Sequence, residues 1–278
     1  MPWAHQTNWN PTRVTEIGES ADTSTGVVEV VTDAGRAYLK PIGNRQGPHV
    51  LATDWVGTHL AKWFGLSTFD IAIIVVKEGF ELRRGAMARP GPAFAARAES
   101  GDAWGGGPNQ LASTVNPQDI TRLVVFDTWT LNCDRHDGKP GGRRPNYGNV
   151  YLGTERVEAG KSRLIAMDHG LCFIRSGEDL TARLNQIDKV QEGHIHGLFP
   201  AFRNMLQNPI ITACAARLRE MDATTAAAMI ETVPREWEVP PEARSAWAEL
   251  IYRRAVFVAD NIREWIDRDV PWFGSPGE

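Results

Sequence analysis

The sequence predicts an α+β molecule in two lobes: a small antiparallel, β-rich N-terminal lobe over residues 1–90 and a mostly helical C-terminal lobe over 91–278. Three observations lead there. Short runs rich in β-branched residues, broken by Gly, Asp and Ser, crowd the N-terminal third. Beyond Phe173, apolar residues recur at helical spacing between prolines. A chain of 278 residues is long for one compact core and natural for two lobes sharing a cleft.

In chain order, Arg13 to Ile17 and Gly26 to Thr32 read as strands, with a small polar loop from Gly18 to Thr25 between them. Backbone N–H groups of such a loop can approach phosphate oxygens closely, although a plain hairpin loop needs no function. The turn Asp33-Ala34-Gly35 leads into Arg36-Ala37-Tyr38-Leu39-Lys40, a strand with Lys40 near its end. From His49 to Phe64, Leu51, Trp55, Val56, Leu60, Trp63 and Phe64 fall at helical spacing, and Gly65 supplies the stop. Phe69 to Val76 is a continuous apolar run, and Phe80 to Met87 is expected to return beside it. Arg89-Pro90-Gly91-Pro92 reads as a rigid connector between lobes, and Ala93 to Ser113, rich in Gly, Ala and Ser, as a loop at the cleft mouth.

Asn116-Pro117 marks a helix start, the asparagine capping free amides and the proline suiting the first turn. Ile120, Leu123, Val124, Asp127 and Leu131 then share a face, with Asp127 expected as a structural hydrogen-bond acceptor. Next comes Leu131 to Phe173, which places Asp134, Asn149 and Asp168 in order. The last two adjoin short apolar runs, Val150 to Leu152 and Leu164 to Met167, which should pair as a hairpin and bring Asn149 and Asp168 to one end. Transfer of a phosphoryl group spreads negative charge. It calls for one carboxylate to orient the accepting hydroxyl, and for a second carboxylate with an amide to hold Mg²⁺ on nucleotide phosphates. Asp134 suits the first role, and Asp168 with Asn149 the second. Farther on, Leu198 to Leu206, Ile210 to Met221, Thr224 to Val233 and Glu242 to Asp267 read as helices, the last carrying a stripe from Trp247 to Trp265 through Arg254.

The order N-x-D-R-H at Asn132 to His136, N-V-Y-L at Asn149 to Leu152 and D-H-G at Asp168 to Gly170 resembles the catalytic and metal-binding loops of the HipA-like kinases. Lys40 and Gly43-Asn44-Arg45-Gln46-Gly47 resemble the family's lysine and G-N-x-Q-G loop. The resemblance implies a two-lobed, protein-kinase-like fold shared with phosphatidylinositol kinases. It also implies ATP and Mg²⁺ as cofactors and transfer of the γ-phosphate to a serine or threonine of a protein; self-phosphorylation at Ser20, Thr23, Ser24 or Thr25 is a separate expectation, from the hydroxyls of the loop that would cover the phosphates. Residue by residue it makes Asp134 catalytic, Asn149 and Asp168 metal ligands, and Lys40 and Asp54 nucleotide-binding. Asp54 stands where the family commonly has glutamate, so a direct pair with Lys40 requires a closer helix. The insert Asp137 to Gly148 lengthens the path from D-R-H to the asparagine, making Asn146 a rival metal ligand. Lys139, Arg143 and Arg144 there suit an acidic or phosphorylated acceptor, or solvent alone. The alternatives to an enzyme of this kind are a nucleotide-binding pseudokinase acting as an interaction module, and a small-molecule or lipid-type kinase.

Composition narrows the remaining classes. A formal charge of -4 argues against a protein that coats nucleic acid, and no apolar run approaches the roughly 20 residues of a membrane span. MPWAHQTNWN lacks the basic and apolar regions of a signal peptide, so a cytoplasmic location is expected, with reduced thiols at Cys133, Cys172 and Cys214. No P-loop or G-x-G-x-x-G sequence occurs. Arg135 and His136 are expected to brace the catalytic loop, with contact of His136 to phosphate the alternative. His194-Ile195-His196 lacks a metal-ligand framework, and a histidine such as His169 is a poor ligand for Mg²⁺.

Overall fold

A computed structural model describes residues 9–20, 26–138 and 144–270. Thr23, Ser24, Thr25, Lys139 and Arg143 therefore lie outside the described residues. The elements run β1 (Val14–Ser20), β2 (Val28–Thr32), β3 (Gly35–Lys40), α1 (His49–Phe64), β4 (Ile71–Val76), β5 (Phe80–Leu82), β6 (Ala86–Ala88), β7 (Gly91–Arg97), β8 (Gly101–Ala103), α2 (Pro108–Leu111) and α3 (Gln118–Thr130). They continue with β9 (Val150–Gly153), β10 (Arg163–Ala166), α4 (Ile187–Val190), α5 (Asn208–Arg219), α6 (Ala223–Ile230) and α7 (Pro241–Asp269). No helix among the described residues is long and apolar enough to cross a membrane. The α+β, two-lobed arrangement expected from the sequence is the one observed.

The N-terminal sheet is antiparallel in the order β1-β2-β3-β7-β4. In β2, Val28, Val30 and Thr32 alternate inward, as period-two patterning requires. The β7 strand overturns the expected connector at Arg89 to Pro92 and the expected loop from Ala93. Phe94 faces the core beneath α1, while Ala93 and Ala95 face the opposite, outer core. Alternation is present, but alanine has little strand propensity and hides it. A strand covered on both faces in mid-sheet has room for such small side chains. The sheet thus runs past residue 90, where the sequence places the lobe boundary.

A second correction follows from the first. β4 pairs with β7, from Ile71 opposite Ala96 to Val76 opposite Gly91, and not with Phe80 to Met87. That later segment folds on itself as the β5–β6 hairpin, and its Leu82 and Ala88 cover the outer face with Trp9, Val30 and Leu39.

α1 has the predicted bounds and ends at Gly65, whose φ of 90° lets its N–H reach the carbonyls of Ala61 and Lys62. Its inner face merges with α3, α5 and α7 into one core, with Trp63 and Phe64 against Trp129 at ring separations of 5.9 Å each. Arg254 interrupts the apolar stripe of α7 for a reason the pattern did not reveal. Its guanidinium is fully buried and donates to the carbonyls of Thr128, Trp129, Lys189, Val190 and Glu192, satisfying the end of α3. Asn116 does not cap α3 with its side chain. It is spent instead on β10, accepting from the Leu164 N–H at 2.8 Å and donating to the Leu164 carbonyl at 2.9 Å.

Candidate active site

Lys40 ends β3, and its Nζ lies 2.6 Å from Asp54 Oδ2 on α1 and 2.9 Å from Asp168 Oδ1 just beyond β10. The other oxygen of Asp54 accepts the backbone N–H of His169 at 2.9 Å. One short carboxylate therefore ties strand, helix and the D-H-G turn together. Helix α1 sits close enough for this because two contacts with the turn involve glycine. A Cβ on Gly57 would lie 2.6 Å from His169 Cβ, and one on Gly170 would lie 2.7 Å from Val50 Cγ2. Asp168 itself has φ of 57°, a left-handed conformation unusual for a residue with a side chain and held here by its surroundings.

The hairpin β9–β10 forms as expected, with Ala166 opposite Val150, so that Asn149 and Asp168 leave the same end. Asn149 Nδ2 donates to Asp134 Oδ2 at 2.8 Å, and Asn146 Nδ2 donates to the same oxygen at 3.3 Å. Both candidate amides thus gather at Asp134. Asn149 is buried and Asn146 exposed.

Beneath them, Arg135 is wholly buried. It pairs with Asp127 Oδ1 and donates to the carbonyls of Asn149 at 3.1 Å and Met167 at 2.7 Å. Asp127 also accepts from Asn132 Nδ2 at 3.1 Å, and Asn132 Oδ1 accepts the Asp134 N–H at 3.3 Å. The expected bracing role of Arg135 is therefore visible as bonds to the chain on both sides of the cleft floor. His136 stacks on Phe199, the ring planes 5° apart. His194 meets the backbone oxygen of Asp137, and His196 pairs with Glu192. Among the described residues, no cluster of three His, Cys, Asp or Glu could hold a metal ion.

Charge states follow from burial and partners. Burial disfavours the Lys40 ammonium, but Asp168 and Asp54 more than offset it and hold its pKa above the ordinary value. Burial raises the Asp54 carboxyl, against the pull of Lys40. Burial also acts to raise Asp168, yet Lys40 outweighs it and leaves the carboxyl below its usual range. Asp127 is pushed up to about 6 by burial, with Arg135 opposing. His169, buried beside Phe126, is held well below its normal pKa by desolvation and the Arg135 charge, so it is neutral.

A cavity of about 710 Å³ opens over this floor, a size that holds a nucleotide. Lys40, Asp54, Asp134, Asn146, Asn149 and Asp168 line one side, and Val27, Phe69, Ile71, Phe94 and Leu171 supply apolar walls. Gln46 of the Gly43 to Gly47 loop also reaches it. That loop is closed by Asn44 Oδ1, which accepts the Gln46 N–H at 2.9 Å. Asp168 and the two amides offer hard oxygen donors suited to a divalent cation, whose remaining ligands would come from phosphates and water. Sequence reasoning named Asn132 within the N-x-D-R-H motif without giving it a role, and missed Gly57. A glycine in mid-helix, which costs about 1 kcal/mol against alanine, was the available signal for the second.

A family model described as HipA-like kinase matches residues 17–256. Among solved structures, the chain is similar to a Helicobacter pylori proinflammatory kinase, CtkA, with TM-score 0.58 and 11% identity over 93% of this chain and 98% of that one. A Golgi casein kinase with Mn/ADP bound aligns with TM-score 0.53 and 11% identity, covering 94% of this chain and 75% of that one. These likenesses identify a kinase-like fold. No curated protein matches the sequence.

Proposed function

The chain belongs to the HipA-like kinase family, and on that premise we propose that it transfers the γ-phosphoryl group of ATP, in the presence of Mg²⁺, to a serine or threonine hydroxyl of a protein, its own chain included. The observation that carries the reading is the contact of Lys40 with both Asp54 and Asp168 on the floor of the cavity that Asp134 also lines.

Each group then has a physical task. Lys40 presents a point charge to the nucleotide phosphates, and Asp54 keeps it aimed there. Asp134 orients the acceptor hydroxyl and receives its proton as the new phosphorus–oxygen bond forms and the bond to the departing ADP oxygen breaks. Asn149 and Asn146 hold that carboxylate in place. The oxygens of Asp168 and Asn149, with Asn146 the rival amide, would hold Mg²⁺, which would supply positive charge to the nucleotide phosphates. The apolar walls at Val27, Phe69 and Leu171 suit a nucleobase and exclude water from it. None of the three cysteines forms a disulfide, and Cys172 and Cys214 are buried, which suits a reducing cytoplasmic setting.

Incubation with MgATP labelled in the γ-phosphate tests the reading, with the chain itself and a serine- and threonine-rich protein offered as acceptors. Label on either acceptor, stable as a phosphoester of serine or threonine, is expected. Tight nucleotide binding with no transfer to either would overturn the enzyme in favour of a nucleotide-binding interaction module.

A further inference from the structure

Asp54 and Gly57 lie three residues apart on α1, one turn along the same face, and both meet the turn that follows β10. Asp54 divides its two oxygens between Lys40 Nζ and the backbone N–H of His169, at 2.6 and 2.9 Å. At Gly57 there is no room for a side chain, since a Cβ would lie 2.6 Å from His169 Cβ and 3.3 Å from Cys172 Sγ. Neither neighbour can yield. His169 is fully buried, with Phe126 at a ring separation of 5.3 Å and Arg135 Nη2 at 3.4 Å from Nδ1, and Cys172 is fully buried as well.

We propose that Asp54 and Gly57 are a matched pair of positioning residues: the missing side chain at 57 sets α1 close enough to the D-H-G turn for a carboxylate as short as aspartate to hold both Lys40 and the residue after Asp168. Carbon atoms in contact stand about 3.5–4.0 Å apart, so alanine at 57 would drive the helix back by on the order of 1 Å. One additional methylene spans about that distance. A glutamate would thus suit a helix set farther back, and aspartate suits this one. The consequence for chemistry is that the pair controls the backbone of His169, and through it the left-handed Asp168 that faces the cavity. The catalytic part of this inference rests on the function proposed above.

A four-protein cycle tests it: the parent, Asp54→Glu, Gly57→Ala and the double variant. Each is measured for kcat and for the KM for ATP in γ-phosphate transfer, and for its melting temperature without nucleotide. Each single change is expected to lower kcat/KM at least about tenfold, and the double variant to recover to within about threefold of the parent, the non-additivity expected of contacting residues. The helix-forming gain of alanine is present in both Gly57→Ala proteins and cancels in the cycle. Losses that simply multiply in the double variant would overturn the pairing, and so would a Gly57→Ala protein with parental kinetics. Coupled melting temperatures without recovery of transfer would overturn the positioning role. A parent that transfers no phosphate would refute the proposed function instead. In that case additive melting temperatures would reject the pairing and coupled ones would sustain the structural fit.

Discussion

Arg135 spends its guanidinium on Asp127, on the Asn149 and Met167 carbonyls and on His169, so one side chain joins the loop carrying Asp134 to the segments carrying Asn149 and Asp168. Its removal would leave Asp127 buried without its cation, its carboxyl forced further toward the protonated form, with two carbonyls short of a donor. Arg135→Ala is therefore expected to cost about 3–5 kcal/mol of folding stability, measured by denaturant titration. Arg135→Lys, lacking the planar fork, should restore charge without restoring the carbonyl contacts, and so regain part of the stability but little of the phosphate transfer. Parental stability in the alanine variant would contradict this role. Single residues were the most legible level of this molecule. Asp134, Asn149 and Asp168, named from their order and the chemistry it suits, and Lys40 and Asp54, named through the family resemblance, line one cavity. Gly57 escaped notice because its meaning depends on a partner more than a hundred positions away, which no local pattern encodes.

The β9–β10 hairpin is the element that sets Asp168 against Asn149, and its support comes from outside the sheet. Asn116 acts as a substitute strand for Leu164, supplying both a donor and an acceptor, while Asp119 holds the same asparagine at 2.7 Å. Asn116→Ala would leave a buried N–H and a buried carbonyl on Leu164 without partners. The expected loss is about 1–3 kcal/mol per orphaned group, read as a lowered denaturation midpoint, with faster hydrogen exchange at the Leu164 amide. An unchanged midpoint would show that water replaces the side chain. Elements with strong periodicity or a clear stop, such as α1 with Gly65, were legible in the sequence. β7 was not, because its alternation is carried by alanines, and strand pairing is a long-range choice. Nothing local said that β4 would take β7 as its partner in place of the nearer segment Phe80 to Met87.

At the scale of the molecule, α1 belongs to both lobes. It packs beneath the N-terminal sheet against Phe94, and its far face joins α3 and α7 through Trp63, Phe64 and Trp129. Trp55 donates to Thr232 at 2.8 Å, and the Ala166 N–H donates to Ser67 at 2.8 Å, adding two further ties across the cleft. A core continuous across the lobes predicts one cooperative thermal transition, with calorimetric and van't Hoff enthalpies in agreement; two resolved transitions would contradict it. The two-lobed plan was visible in the change from strand-like to helix-like patterning along the chain. The depth of the shared core was not, since it depends on which helix faces meet. The central claim is that Asp134, Lys40 and Asp168 form one phosphoryl-transfer centre. Its most direct test is the rate of γ-phosphate transfer by Asp134→Asn and Asp168→Asn beside their MgATP affinities. The account predicts that both variants lose transfer, that Asp134→Asn still binds MgATP as the parent does, and that Asp168→Asn binds it more weakly. Transfer at the parental rate by either variant would contradict it.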